Sequence, residues 1–142
     1  MNRAEKSAAA LWADDAASRW FGFKMVSVAE GEAVFSFTVE THHCNGHGIL
    51  HGGITFALAD TAFAFACNSR NIPNVAQTNN ITYLLPGRLG DTLTARAVET
   101  TSQGKTGIYD VTITRPDGTA IAEFRGLCRS IPGTLYDEDA AS

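Results

Sequence analysis

The strongest pattern in this chain is a long apolar run from Ile54 to Cys67, in which Thr55, Asp60 and Thr61 are the only polar side chains. A helix that is apolar on all sides is normally buried. We therefore predict a central buried helix that begins near His51 and ends near Cys67.

Alternation of apolar and polar residues on both sides of this run predicts β-strands. In the stretch from Ala33 to Thr41, Phe35, Phe37 and Val39 face one way and polar residues mostly face the other. The remaining predicted strands cover residues 23–29, 75–85, 91–101, 108–114 and 120–131. Residues 4–18 are predicted to form an amphipathic helix before the first strand.

This order of elements predicts the α+β class. One apolar helix has to be covered, and a curved antiparallel sheet wrapped around it is the economical solution. With 142 residues, the chain is predicted to form one domain over 1–142. Within it, 1–20 should contain the N-terminal helix and 133–142 should form a flexible tail.

Composition narrows the possible partners. The net charge of −4 provides no broad basic surface, which argues against a nucleic-acid partner. The 3 cysteines fit reduced thiols better than a secreted disulfide framework. No apolar run reaches the ~20 residues that span a bilayer. We therefore expect a soluble, cytoplasmic protein without a membrane partner.

The presence of Asp60 on this helix requires an explanation, because burying a carboxylate is costly unless it is paired or has a function. Gly52 and Gly53 at the helix start leave backbone N–H groups open to an anion or a carbonyl oxygen. Eight residues separate Gly52 from Asp60, or about 12 Å along the axis and roughly 80° around it. One helix cannot bring both to one reacting group, but two antiparallel copies can, which predicts a site shared across a two-fold dimer.

Such a pairing suits acyl transfer. N–H groups at a helix start stabilise negative charge on a carbonyl oxygen, and a facing carboxylate can attack that carbonyl or activate water. Asn45 and His51 are candidates to orient the substrate or the water. Structural roles remain open: Asp60 as a hydrogen-bond acceptor, the glycines and Asn45 as turn residues, and His51 as a helix-start residue.

A metal site is a further alternative. His43, His47 and His51 are spaced by four residues and would line one face of a continuous helix. Gly46 and Gly48 disfavour such a helix, and no glutamate accompanies the histidines as in the His-Glu-x-x-His motif. We predict neither a metal nor a cofactor.

Three short segments carry a resemblance to a known family. Asn45-Gly46-His47, followed by His51-Gly52-Gly53 and then Ala59 to Ala64, resembles the hotdog-fold acyl-CoA thioesterases, and more narrowly the phenylacetate-degradation (PaaI) type. Further matching segments lie at 66–69, 90–95, 104–110 and 124–126, so that the resemblance extends from about residue 20 to 131.

The resemblance implies a hotdog fold, a five- or six-stranded antiparallel sheet around a central helix, assembled into dimers and commonly tetramers. It also implies hydrolysis of an acyl-CoA thioester to an acid and free CoA. In that scheme Asp60 is the nucleophile or general base, and the N–H of Gly52, with or without that of Gly53, polarises the carbonyl. Asn45 and His51 shape the site around the carbonyl or the water.

The basic residues depart from the family pattern, because Arg88 follows Pro86-Gly87 where an arginine before the proline is usual. Candidates for the CoA phosphates are therefore basic side chains in the second half, although a residue of this kind is more often a solvated surface charge than a ligand contact. They are Arg88, Lys105, Arg125 and Arg129.

We expect hydrolysis of phenylacetyl-CoA or its ring-hydroxylated derivatives. Apolar walls from the central helix, including Phe63 and Phe65, would suit an aromatic acyl group. Two alternatives remain at this point: a non-catalytic acyl-CoA-binding module and a hotdog acyl-CoA dehydratase.

Overall fold

A computed structural model describes residues 1–139 as a single sheet packed on one long helix. The helices are α1 (Arg3–Ala13), α2 (Ala16–Phe21) and α3 (Gly52–Cys67), with a 3-10 turn at Thr41–His43. The strands are β1 (Lys24–Ala29), β2 (Glu32–Thr38), β3 (Asn74–Tyr83), β4 (Thr92–Gln103), β5 (Thr106–Thr114) and β6 (Ala120–Ser130). All neighbouring strands are antiparallel, in the order β1-β2-β4-β5-β6-β3.

The predicted central helix is confirmed, and α3 contacts every strand of the sheet. Alternate residues of the strands turn towards it, as the period of two requires. Leu58 and Phe63 of α3 are buried against these strand residues, and each such side chain stabilises the fold by about 1.5–3 kcal/mol. The strand side chains that complete this core are Phe35, Phe37, Leu93, Ala95, Ala97, Val111, Ile113 and Phe124.

The single N-terminal helix predicted over residues 4–18 is wrong, because the chain forms two helices there. Helix α1 does not continue through Asp15, because the Asp15 carboxylate accepts the Ser18 N–H at 3.0 Å and caps α2. The Arg19 guanidinium then donates to the carbonyl oxygens of Trp12 and Ala13 at the end of α1. Two adjacent aspartates at this point favour a cap over a continuous helix.

The predicted tail is described only to residue 139, and 140–142 lie outside the described residues. Within the described part, the side chain of Asn71 accepts the N–H groups of Leu135 and Tyr136 at 2.8 and 3.1 Å and donates to the Tyr136 carbonyl. Asn71 is buried and has φ 58°, a conformation that asparagine tolerates better than most residues. These bonds attach the segment around Tyr136 to the loop that follows α3.

None of the helices in residues 1–139 combines the length and the apolar character needed to cross a membrane.

One glycine sets the distance between helix and sheet. A Cβ on Gly126 of β6 would lie 2.7 Å from the ring of Phe63, and this ring is itself only 1 % exposed. The helix can therefore approach β6 closely only because residue 126 has no side chain.

We expect Gly126→Ala to destabilise the protein by about 1–3 kcal/mol, because the buried Phe63 ring has no free space to move into. The midpoint of urea unfolding measures this loss. Gly46→Ala is the matched control, since a Cβ there meets no atom within 4 Å. Equal midpoints for the two variants would contradict the packing argument.

Candidate active site

The start of α3 presents one unused backbone donor. His51 caps the helix, and its Nδ1 accepts the Gly53 N–H at 2.9 Å. The Gly52 N–H makes no hydrogen bond among residues 1–139. Because the positive end of the helix dipole also lies here, the Gly52 N–H is the group available to a carbonyl oxygen or an anion. The Gly53 N–H is already occupied.

Tyr83 fixes the position of this helix start, and sequence reasoning missed it. Its hydroxyl donates to the Gly52 carbonyl at 2.8 Å, and a Cβ on Gly52 would lie 3.3 Å from its ring. Glycine at position 52 therefore permits the tyrosine ring to lie against the backbone. The available signal was the alternation of β3, which places Ile81 and Tyr83 on the face towards the helix.

Asn45 organises the loop that leads into α3. Its side-chain oxygen accepts the N–H groups of His47 and Ile49 at 2.9 and 3.4 Å, and the His51 N–H bonds to the His43 carbonyl at 2.9 Å. The turn role considered for Asn45 is thus present. Its side-chain N–H₂ makes no bond in the described residues, so Asn45 retains a donor close to the helix start.

Asp60 lies half-buried near the middle of α3. The side chain of Asn79 on β3 donates to its carboxylate at 2.9 Å. Burial raises the pKa of Asp60 above the usual range for an aspartate, and the hydrogen bond from Asn79 offsets part of that rise. The carboxylate is therefore more basic than a surface aspartate, as a group that takes up a proton during a reaction should be.

Asn79 reaches Asp60 because of a bulge in β3. The register shifts at Gln77, so that Thr78 pairs with Leu127 and Asn79 pairs with Gly126. Gly126 faces the core, and Asn79 therefore faces α3. Sequence reasoning missed Asn79, because the sequence does not show which strand residue lies opposite Asp60.

One copy of the chain does not bring Gly52 and Asp60 together, since they lie on one straight helix about 12 Å apart. One face of α3 stays uncovered between them. The residues on it recur at three- or four-residue steps, and none is fully buried. They are Gly53, Ala57, Asp60 and Ala64.

The four basic residues proposed for CoA do not cluster. Lys105 and Arg129 lie near the β4–β5 turn, whereas Arg88 lies near the other end of β5, where its N–H bonds to Asp91. These two ends are separated by the nine residues of β5, about 26 Å. Arg125 forms a two-point ion pair with Asp110 at 2.7 and 2.8 Å, which also holds the pKa of that carboxyl below its usual range.

The histidine cluster offers little to a metal ion. Glu40, His42 and His43 have potential ligand atoms within 4.8 Å of one another. However, His43 donates from Nε2 to the Phe21 carbonyl at 2.8 Å and accepts the Glu40 N–H at Nδ1. Both ring nitrogens are then used, and no lone pair of His43 remains for a metal.

The structure does not support the expectation that Phe63 and Phe65 wall an acyl pocket in the single chain. Both rings are at most 2 % exposed. Phe65 packs on Trp12 and Phe35, while Phe63 contacts Tyr109 and Phe124 in the core. Phe56 is the phenylalanine of α3 that is only half-buried.

Several known proteins are similar to this chain in sequence and in fold. A family model described as "Thioesterase superfamily" matches residues 47–122. The chain belongs to the thioesterase superfamily. Acyl-coenzyme A thioesterase PaaI of Escherichia coli is 44 % identical over 138 residues, which is 96 % of this chain and 98 % of that protein. The family predicted from the residues at 45–64 is therefore confirmed.

Structures agree with the family assignment. The structure of E. coli PaaI, from the phenylacetic acid degradation operon, superimposes on this thioesterase with a TM-score of 0.91 at 42 % identity, covering 93 % of this chain and 96 % of that one. A Streptococcus mutans protein bound to acetyl CoA matches with a TM-score of 0.76 at 28 % identity, over 79 % and 90 % of the two chains. The predicted hotdog fold and the predicted enzyme class, a thioester hydrolase, are confirmed.

We expect His51→Ala to lower the stability of this thioesterase by about 1 kcal/mol, because the Gly53 N–H loses its cap. His51→Asn should retain most of the stability, since asparagine is a good capping residue. Urea unfolding of both variants checks the difference. Equal losses would show that the imidazole contributes through something other than the cap.

Proposed function

We propose that the protein hydrolyses phenylacetyl-CoA or its ring-hydroxylated derivatives to the arylacetic acid and free CoA. The observation that carries the proposal is the basic, half-buried Asp60 carboxylate on the uncovered face of α3. The relatives support it: E. coli PaaI is named an acyl-CoA thioesterase and its structure is assigned to phenylacetic acid degradation. The S. mutans structure holds acetyl CoA.

In the proposed reaction the Gly52 N–H of one copy polarises the thioester carbonyl, and Asp60 of a second copy acts on its carbon. As a general base, Asp60 takes a proton from water, whose oxygen bonds to the carbonyl carbon while the C–S bond breaks. The CoA sulfur leaves as a thiolate and takes up the proton. As a nucleophile, Asp60 forms an anhydride that water then opens, with the same products. Asn45 and His51 lie beside the polarised carbonyl.

A two-fold dimer is part of the proposal, and two features support it. The exposed face of α3 carries small side chains around Asp60, which allow a second helix to approach closely. Strand β3 ends the sheet, so its outer edge has unpaired backbone groups that a second β3 can join. Further pairing into a homotetramer, and a cytoplasmic location, remain predictions.

Contacts to the CoA phosphates remain predictions as well. Because Arg88 lies far from Lys105 and Arg129 in one copy, a single CoA molecule would meet all of them only where different copies adjoin. Arg125 would first have to release Asp110. Of the four, Arg88 lies nearest the loop before α3, where its backbone pairs with Ile49.

The two alternatives fit less well. A dehydratase needs a histidine with a carboxylate partner, but His51 directs Nδ1 to the Gly53 N–H. Within residues 1–139, the histidine closest to a carboxylate is the exposed His42, 3.6 Å from Glu40. A module that only binds acyl-CoA would have no use for a basic carboxylate on its open helix face.

We expect free thiol to be released fastest from phenylacetyl-CoA and 3,4-dihydroxyphenylacetyl-CoA, and more slowly from benzoyl-CoA and a straight-chain acyl-CoA. Asp60→Asn should lower kcat by about 10²–10⁴-fold, because the amide cannot act as a base. A thiol-reactive dye measures both. Saturable binding of these esters without thiol release by the wild type would instead favour the binding module.

The shared site makes a sharper prediction. Gly52→Pro removes the N–H at a position where proline suits the first turn of a helix, and Gly52→Ala retains the N–H as a control for the added Cβ. Homodimers of Gly52→Pro and of Asp60→Asn should both be inactive. Mixed after unfolding and refolding together in equal amounts, they should recover about one quarter of wild-type activity, because half the dimers are mixed and each has one intact site.

A site contained within one copy would recover no activity on mixing. Gly52→Ala should remain largely active alone, and its inactivity would mean that the Cβ, not the missing N–H, disables the proline variant.

A further inference from the structure

Asn79 has an unusual set of contacts for a side chain that faces the core. Its N–H₂ donates to Asp60 at 2.9 Å, and its Oδ1 is buried with no hydrogen-bond partner in the described part of the chain. A buried amide oxygen without a partner is costly. The contact with Asp60 is therefore the interaction that accounts for an asparagine at this place.

A neighbouring position shows what a purely structural residue would be here. Ile81, two residues further along β3, faces the same way and packs on the core with an apolar side chain. An apolar residue at 79 would satisfy the core equally well, but it would leave the Asp60 carboxylate without a donor.

The orientation of the amide is also determined. Turning it over would place Oδ1 against a carboxylate oxygen, and two negatively polarised oxygens would repel each other. With N–H₂ towards Asp60, the bond is charge-assisted and roughly twice as strong as a neutral one. It forms fully only while Asp60 is ionised.

We propose that Asn79 is a positioning residue that holds the Asp60 carboxylate in one orientation and in its charged form. The inference rests on the proposed function, in which the charged carboxylate is the reactive form. Asn79 itself does not touch the substrate. It leaves the second carboxylate oxygen of Asp60 as the one that acts on water or on the carbonyl carbon.

Few other ionisable groups face Asp60. Cys67 lies two turns further along α3 and its thiol pKa is raised, mainly by Cys128 and by burial. At the start of α2, the Asp15 carboxylate accepts a hydrogen bond from the Ser18 hydroxyl, which also contacts Thr61. Within residues 1–139, the other ionisable groups with contacts along α3 include Cys128 of β6, Tyr109 of β5 and Tyr83 of β3. In the proposed dimer, His51 of the second copy would be added.

Direct titration of the Asp60 carboxyl carbon by ¹³C NMR tests the proposal without any substrate. The resonance is assigned by its loss in Asp60→Asn. In Asn79→Ala the pKa of Asp60 should rise by about one unit, because the charged form loses its donor. In Asn79→Asp it should rise by about two units or more, because two neighbouring carboxylates cannot both ionise easily.

Asn80→Asp is the matched control. It adds the same charge one residue away, on the exposed side of β3, and should leave the pKa of Asp60 nearly unchanged. An Asp60 pKa that is the same in wild type and Asn79→Ala would overturn the proposal. A rise of equal size in Asn80→Asp and Asn79→Asp would also overturn it, since the effect would then come from general charge.

Kinetics supply the second readout. Activity needs the charged carboxylate, so it falls as the pH drops through the pKa of Asp60, and a raised pKa moves this acid limb to higher pH. In Asn79→Ala we expect that shift together with a fall in kcat of about tenfold and a KM within about threefold of wild type. An unmoved acid limb and an unchanged kcat, in a folded variant, would contradict a positioning role.

The two proposals fail separately. If the wild type releases no thiol from any ester, the proposed function fails while the NMR titration still reports whether Asn79 controls the charge of Asp60. If the wild type is active and the pKa of Asp60 is the same in Asn79→Ala as in the wild type, the proposed function stands and the proposed role of Asn79 is wrong. Thermal unfolding of both Asn79 variants establishes that they are folded before either result is read.

Discussion

The structure depends on the burial of one helix that carries one carboxylate. Helix α3 is apolar enough to require cover from a whole sheet, and all six strands contact it. Asp60 lies on the side where that cover is incomplete, and burial of the carboxylate raises its pKa. In the proposed mechanism, stability and reactivity therefore come from the same arrangement, because the sheet removes water from the helix and leaves the Asp60 carboxylate at its open face.

Helix α3 also keeps apart the two groups proposed for catalysis, the Gly52 N–H and the Asp60 carboxylate. Its N-terminus carries the Gly52 N–H, which has no partner in residues 1–139. The His51 side chain caps the neighbouring Gly53 N–H, and the Tyr83 hydroxyl binds the Gly52 carbonyl. Asp60 lies two turns away, too far to share a substrate atom with it. In the proposed dimer, a second helix running in the opposite direction would supply the missing half, and the free edge of β3 would offer the same second copy a place to bind. Assembly and catalysis are in this view one requirement.

The sequence predicted the central helix almost to the residue and every strand to within a few residues, because the periods of burial are local properties. The sequence prediction was wrong for the N-terminal helix, because Asp14 and Asp15 are compatible with two structures. They could lie on the surface of one long helix, but Asp15 instead caps a second helix. The sequence prediction also placed Arg88 in one phosphate site with Lys105 and Arg129, but the length of β5 separates Arg88 from the other two. Residue type alone contains no information about such distances. Phe63 and Phe65 were apolar as expected, but the sheet uses them as core.

The residues at 45–64 by themselves determined the family and the buried helix. They also made Asp60 the candidate catalytic group, because an isolated charge in an apolar run can be seen in the sequence. What surrounds that charge was decided by tertiary structure alone. Asn79 is 19 residues from Asp60, and a one-residue bulge at Gln77 decides whether it faces the helix or the solvent. Tyr83 reaches Gly52 across 31 residues of sequence. Such pairings follow from strand register, which the whole sheet sets.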